Sequence, residues 1–237
     1  MAPLRSPGVG ERMRTTWDAA AASDRVEHYV GDPATAQREL DSLFSRLGED
    51  PHGGTCVEVG CGFGRMTGLL AQRFDRVVAV DVSPLMLEQA RARVADAGVT
   101  FLPVSGTTLE PVESASADVV VCYLVLQHLP ARDVVTAYVR EFGRVLTSAG
   151  RAFVQLPVLG PGMRARIWRA GRGFAVPVVS GSEVASRPEY RGFRLTDSEL
   201  DRALADAGLR VAARDESPDS PYRYAREVFL RLERAYR

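Results

Sequence analysis

Between Val57 and Arg65 the chain reads Val57-Glu58-Val59-Gly60-Cys61-Gly62-Phe63-Gly64-Arg65: a carboxylate, then three glycines at alternate positions. Such a run suits the point where a strand turns tightly into a helix and a ligand comes close to the backbone. Taken alone it is either a plain glycine-rich connection or a nucleotide-type loop. The dinucleotide fingerprint wants Gly-x-Gly-x-x-Gly, and Arg65 stands where the third glycine would fall. A second carboxylate, Asp81, comes 21 residues after Gly60, the distance at which an acid ending the next strand grips ribose hydroxyls. His128 is a third chemical group, with an unperturbed pKa suited to proton transfer near neutrality. The cysteines Cys56, Cys61 and Cys122 and the scattered histidines His28, His52 and His128 lack metal-ligand spacing, so no metal site is expected.

The elements around these residues follow from hydrophobic period and punctuation. Two helices are expected first, over Trp17–His28 and Ala34–Leu47. The second carries Leu40, Leu43, Phe44 and Leu47 on one face and stops at Gly48. Thr55–Val59, Val77–Val80, Val99–Val104, Asp118–Tyr123 and Arg151–Leu156 read as five strands. Helices Met66–Arg73, Ser83–Ala95 and Arg132–Leu146 fall between them; Ser83-Pro84 is an N-cap followed by proline at the first helical position. After the irregular stretch 157–194, Thr196 to Glu199 fits a capping box and opens a helix to Ala207. Leu209–Ala213 and Glu227–Leu232 read as closing strands. Alternating strands and helices imply a doubly wound α/β fold with ligands at the carboxyl ends of a mostly parallel sheet.

Composition narrows the chemistry. The chain has 237 residues, 30 basic and 30 acidic, for a net charge of zero. It has no lysine, so every basic side chain is arginine. That excludes Schiff-base lysine chemistry and a P-loop. A zero balance argues against a nucleic-acid-coating surface. The longest apolar run, Val119–Leu126, is eight residues, too short to span a bilayer. The sequence is read as cytoplasmic and reduced, with residues 1–12 disordered; the oligomeric state is not legible.

The motifs come in a recognisable order: Glu58-x-Gly60-x-Gly62-x-Gly64, then Asp81-Val82-Ser83-Pro84-Leu85-Met86. After them come Ala117-Asp118-Val119-Val120-Val121-Cys122, Leu126-Gln127-His128-Leu129-Pro130, and Arg144-Val145-Leu146 with Gly150. This resembles the class I S-adenosylmethionine-dependent methyltransferases, especially the small single-domain (type 11/25-like) ones. The likeness is close over 55–155 and holds only in element order beyond. It implies a Rossmann-like, seven-stranded sheet over 51–237, an N-terminal helical cover over 1–50, and a substrate-side insertion at 157–194.

The resemblance also implies roles. Gly60, Cys61 and Gly62 would lie against the methionine moiety of S-adenosyl-L-methionine, and Glu58 would help hold its amino group. Asp81 would accept the ribose hydroxyls. Val82 and Met86 would flank the adenine, although Met86 is equally a core residue of its helix. The backbone of Tyr123 would meet the amino-acid end. Gly106, Thr107 and Thr108 follow strand three, with Thr107 where the family usually has an aspartate; a hydroxyl can accept the adenine amino group without charge assistance. His128 reads as a general base or as a residue that packs against the following helix. Trp17, His28 and Tyr29 either shape the acceptor pocket or pack on the sheet.

The insertion holds seven arginines against two glutamates, a net +5, and 1–50 carries −3. Arg164 and Arg166 there could receive an anionic acceptor, belong to a solvated lid, or form part of a membrane-surface helix. The expected function is methyl transfer to an O or N atom of a small molecule such as a natural product or sugar. The alternatives are a cofactor-binding protein without turnover, an RNA methyltransferase, and, for the glycine loop alone, a nicotinamide-dependent dehydrogenase.

Overall fold

The computed structural model describes residues 8–24, 26–95, 98–171, 184, 187–217 and 224–235. One sheet of seven strands organises them. In chain order these are β1 (Thr55–Val59), β2 (Arg76–Asp81), β3 (Val99–Pro103), β4 (Ala117–Cys122), β5 (Leu146–Leu159), β6 (Leu209–Ser217) and β7 (Ala225–Arg234). Their order across the sheet is β3-β2-β1-β4-β5-β7-β6. The first five strands pair in parallel, and β7 runs antiparallel to both β5 and β6. The doubly wound expectation is met, and chain direction across the sheet reverses between β1 and β4, where ligand crevices form in such folds.

Nine α-helices whose bounds lie among the described residues accompany the sheet, besides two short 3-10 turns at Pro33–Thr35 and Leu126–His128. The α-helices are α1 (Val9–Ala21), α2 (Val26–Val30), α3 (Ala36–Arg46), α4 (Thr67–Ala71), α5 (Pro84–Arg93), α6 (Arg132–Val145), α7 (Met163–Gly171), α8 (Pro188–Arg191) and α9 (Asp197–Asp206). Strand side chains alternate between faces, and the two cores obey that parity. Val57, Val59, Val120, Cys122 and Val154 join Val135, Val139 and Phe142 of α6 and Leu200 and Leu204 of α9. Cys56, Val119, Val121 and Phe153 point the other way, onto Leu40, Leu43 and Phe44 of α3. Phe44 and Phe153 meet edge to face at 4.9 Å, and full burial of such a ring stabilises the fold by roughly 1.5–3 kcal/mol. A third cluster joins Ala20 and Ala21 of α1, Phe63 of the glycine loop and Met86 of α5.

The caps read from sequence form as expected. Ser83 Oγ accepts from the N–H of Met86 at 3.1 Å, with Pro84 at the first helical position. Thr196 and Glu199 close a reciprocal capping box on α9.

Three expectations are corrected. The first helix spans Val9–Ala21, so 9–12 are helical rather than disordered; 1–7 lie outside the described residues. The helix expected over Trp17–His28 is the end of α1, a turn and the separate α2. Strand β5 runs to Leu159, three residues into the stretch expected to be irregular, because β7 pairs with it as far as Leu159 opposite Ala225. The excursion beyond β5 returns to where it left. The Leu159 N–H donates to Leu195 O at 2.7 Å, and Val158 bridges Leu195 in parallel. Within that excursion, 172–183 and 185–186 lie outside the described residues.

Candidate active site

At the β1–β4 reversal lies a cleft with about 900 Å³ of unfilled space counted out to its open mouth. The turn after β1 forms its floor. Gly60 has φ 70°, and a Cβ there would overlap the side chain of Val125. Glycine is therefore required both for backbone conformation and for room. The N–H groups of Gly60 and Cys61 both reach Val80 O, at 2.8 and 3.0 Å, which ties the loop to β2.

Two buried carboxylates line the cleft. Asp81 ends β2; its Oδ2 accepts from Gly62 N–H and its Oδ1 from Ser83 N–H, each at 2.9 Å. Each oxygen keeps a lone pair for a further donor. Burial lifts its pKa to about 6 against the pull of those amides. Glu58 is the penultimate residue of β1, is 5% exposed, and accepts from Thr67 Oγ1–H at 2.6 Å. Burial pushes it to about 7, with Thr67 and the Arg65 charge opposing. The same enclosure, with Glu58 and Asp81 nearby, raises the Cys61 thiol, so it stays protonated.

Arg65 completes this side. Its side chain is 7% exposed; Nη2 holds Glu39 of α3 at 2.6 Å, and the guanidinium lies 5.7 Å from the Tyr123 ring centre. Its Nη1 is buried with no hydrogen-bond partner. A buried charged donor left open is costly unless something meets it, and Arg65 lines the cleft. In the sequence Arg65 stands out only as the residue in place of a third glycine. Its position one step after Gly64 was the signal available.

Around Phe63 of the glycine loop the site is aromatic, with Trp17, Tyr29 and Tyr190 packed against one cluster. Trp17 of α1 meets the His128 ring edge to face at 4.9 Å. Tyr190 of α8 lies 4.9 Å from His128 and meets Tyr29 of α2 edge to face at 5.8 Å. His128 Nδ1 bonds to the Tyr190 carbonyl, which can only accept, so that nitrogen carries the proton. Nε2 must then accept, and it faces the Gln127 amide nitrogen at 2.9 Å. Burial, opposed by the Tyr190 carbonyl, brings the pKa of His128 down to about 4. Both ring nitrogens are thus engaged, and burial makes this imidazole a weaker base than a free one.

The segment that holds Tyr190 is strapped to two elements beside the cleft. Phe193 N–H donates to Leu129 O at 2.6 Å, and Arg12 Nε of α1 donates to the buried Glu189 at 2.9 Å. α1 is also held to the β2 end: Ser83 Oγ–H donates to Asp18 at 2.6 Å.

Of the residues singled out by sequence, Glu58, Gly60, Cys61, Gly62, Asp81, Val82, Met86, Tyr123, Trp17, Tyr29 and His128 line this cleft. Gly106 packs beside Val82 and Met13 but does not line it. Thr107 and Thr108 do not line it either; their hydroxyls stand 3.1 and 3.2 Å from Ser105 Oγ in a local turn. His28, Arg164 and Arg166 are exposed and lie away from the lining. Met13, Phe63, Arg65 and Leu124 line it without having been picked out. The 13–17–20 spacing of Met13, Trp17 and Ala20 was the helical signal missed at the amino end.

Residues 57–154 match the family model described as methyltransferase domain. A ubiquinone biosynthesis O-methyltransferase of Methylobacterium sp. (strain 4-46) is 29% identical over 218 residues, covering 85% of this chain and 80% of that one. An uncharacterized methyltransferase of Mycobacterium tuberculosis (strain ATCC 25618 / H37Rv) is 34% identical over 140 residues, 59% of this chain and 68% of that one. Among solved structures, a geranyl diphosphate C-methyltransferase from Streptomyces coelicolor A3(2) aligns with TM-score 0.67 at 16% identity. That alignment covers 97% of this chain and 99% of the other, which was solved with Mg2+, geranyl diphosphate and S-adenosyl-L-homocysteine.

Proposed function

This chain belongs to the class I S-adenosylmethionine-dependent methyltransferases, and from that premise we propose that it methylates an oxygen or nitrogen of a small molecule held against Trp17, Tyr29 and His128. When bound, S-adenosylmethionine supplies a methyl group on a sulfonium, already activated toward a nucleophile. The residues present fit that ligand. The observation that carries the reading is the pair of open buried groups beside the glycine turn: the free lone pairs of Asp81 and the unpartnered Nη1 of Arg65.

Asp81 accepts from the ribose hydroxyls, Glu58 from the ammonium, and Arg65 Nη1 donates to the carboxylate of the methionine moiety. Val82 and Met86 pack on the adenine. Gly106, Thr107 and Thr108 take no direct part in this reading. The acceptor lies on the aromatic side, where offset or edge contacts favour a planar apolar body. Arg164, Arg166 and His28 do not touch it.

Catalysis then rests on positioning and exclusion of water rather than on a strong base. His128 is a positioning residue: through Tyr190 it fixes the strap that closes the acceptor side. The acceptor atom accordingly enters with its lone pair free, as a phenolate or a neutral amine, and a methylated amine loses its proton to solvent after release. The O-methyltransferase relative agrees with an oxygen acceptor. Calorimetric titration with S-adenosylmethionine, then a labelled-methyl assay over phenols, amines and sugars, tests the reading. Transfer to an aromatic hydroxyl or amine is expected. Tight binding with no transfer across the panel would instead favour a protein that binds the cofactor without turnover.

A further inference from the structure

Strand β4 ends at Cys122, and two residues on the backbone of Leu124 turns to φ 59°, a left-handed conformation that a leucine disfavours. Something must hold it there. The Leu124 N–H donates to Gln155 Oε1 at 3.1 Å. Gln155 lies on β5 and is 0% exposed, between the buried Val154 and Leu156. Its Nε2 donates to Glu227 Oε1 of β7 at 3.0 Å. The amide orientation is set by its partners: an N–H needs the oxygen and a carboxylate needs the nitrogen. Either side of Leu124, Tyr123 and Val125 line the cleft, and Val125 rests against Gly60.

An amide at 155 does what no apolar strand residue could, accepting on one side and donating on the other. We propose that Gln155 and Glu227 form a positioning pair that holds the Tyr123–Val125 turn in the shape the amino-acid end of the cofactor requires. The inference rests on the cofactor reading above and extends the site to β7, a strand outside the five-strand parallel portion of the sheet. Glu227 is faced by Gln155 and, from α3, by Arg46 and Glu39. Burial raises its pKa from the usual carboxylate value, with the Gln155 amide and Arg46 opposing, so the pair is sensitive to any second charge placed at 155.

The test is titration of the full chain with S-adenosylhomocysteine at pH 5.5 and pH 8.5, each variant compared with the unaltered protein at the same pH. Thermal melting monitors folding. Gln155→Ala is expected to lose about tenfold in affinity, the scale of one buried hydrogen bond with a partner left unsatisfied. Gln155→Glu sets two carboxyls against each other. They share a proton at pH 5.5 and reproduce the donor–acceptor pattern, then repel at pH 8.5; near-normal affinity at the lower pH and a tenfold or larger loss at the higher are expected. Exchanging the pair, Gln155→Glu with Glu227→Gln, reverses the donor between them but leaves the Leu124 N–H and both side chains partnered at both pH values. A merely structural role would show neither the pH contrast nor the rescue. A folded Gln155→Ala that binds within twofold of normal overturns the proposal. So does an exchanged pair no better than Gln155→Glu at pH 8.5, which also decides the matter if Gln155→Ala fails to fold. If the unaltered chain does not bind S-adenosylhomocysteine at all, the cofactor reading fails instead.

Discussion

Glu58 is where the needs of the cofactor oppose those of the fold. Burial lifts its pKa from 4.5 to about 7. The folded chain therefore holds this proton more tightly than the unfolded chain does. As pH rises from about 4.5 toward 7 the unfolded form ionises first and gains on the folded form; above 7 the penalty is constant. At about 1.4 kcal/mol per pH unit the span amounts to about 3 kcal/mol. Glu58→Gln keeps an oxygen for the Thr67 hydroxyl and removes that penalty. Part of the gain is offset, since Arg65 loses one nearby anion and keeps Glu39. The ligand-free variant should melt about 5 °C above the parent at pH 8, at roughly 2–4 °C per kcal/mol for a chain of this size. At pH 5 the difference should nearly vanish. The same variant should bind S-adenosylmethionine more weakly at pH 8, because an amide cannot match a carboxylate as an ammonium acceptor. Equal melting temperatures of variant and parent at pH 8, in differential scanning calorimetry, would refute the claim that an ionised carboxylate is held there against the fold.

Three further outcomes follow from the same geometry. Asp81→Ala should weaken S-adenosylmethionine binding by about 10- to 100-fold in calorimetry, as a charged acceptor is lost; unchanged affinity would mean that the ribose lies elsewhere. Gly60→Ala should abolish binding and lower stability by about 1–3 kcal/mol in urea denaturation, since φ 70° and Val125 both resist a side chain. His128→Asn, whose side-chain amide can still donate to the Tyr190 carbonyl, should keep most of the activity, with KM affected more than kcat. With the His128 pKa lowered to about 4, the rate of the parent should show no limb from this ring between pH 5.5 and 8, and a limb near 6.5 that disappears in the variant would restore it as the base.

The sheet, its order of elements, both caps and the carboxylate–glycine–carboxylate core of the site were readable in the sequence because each depends on local spacing. Ser83-Pro84 and Thr196–Glu199 state their geometry within four residues. What escaped was held by distant partners. Arg65 has no meaning until α3 brings Glu39 to it and leaves Nη1 open. Gln155 looks like one polar residue in an apolar strand until Leu124 from the turn after β4 and Glu227 from β7 meet it. At His128 the sequence left a general base and a packing residue both open, because only its intrinsic pKa was visible; the Tyr190 carbonyl bonded to its Nδ1 lies 62 residues on. The glycine- and arginine-rich amino end concealed α1, although Glu11 to Arg14 and Ala19 to Ala21 are good helix formers and Met13, Ala20 and Ala21 are buried.

The excursion between β5 and β6 leaves at Leu159 and re-enters at Leu195, where the two ends are joined by a main-chain hydrogen bond and a β-bridge. Chain length between two pinned points is cheap to change: doubling such a loop adds only about 0.6 kcal/mol of closure entropy. Within β5 the reverse holds, because a one-residue slip would carry Gln155 to the wrong face and turn Phe153 away from Phe44. The molecule thus has a built-in cassette position. Segment 160–194 can change in length at little cost while β1 to β5 keep their register, provided the incoming segment still supplies a main-chain carbonyl for His128.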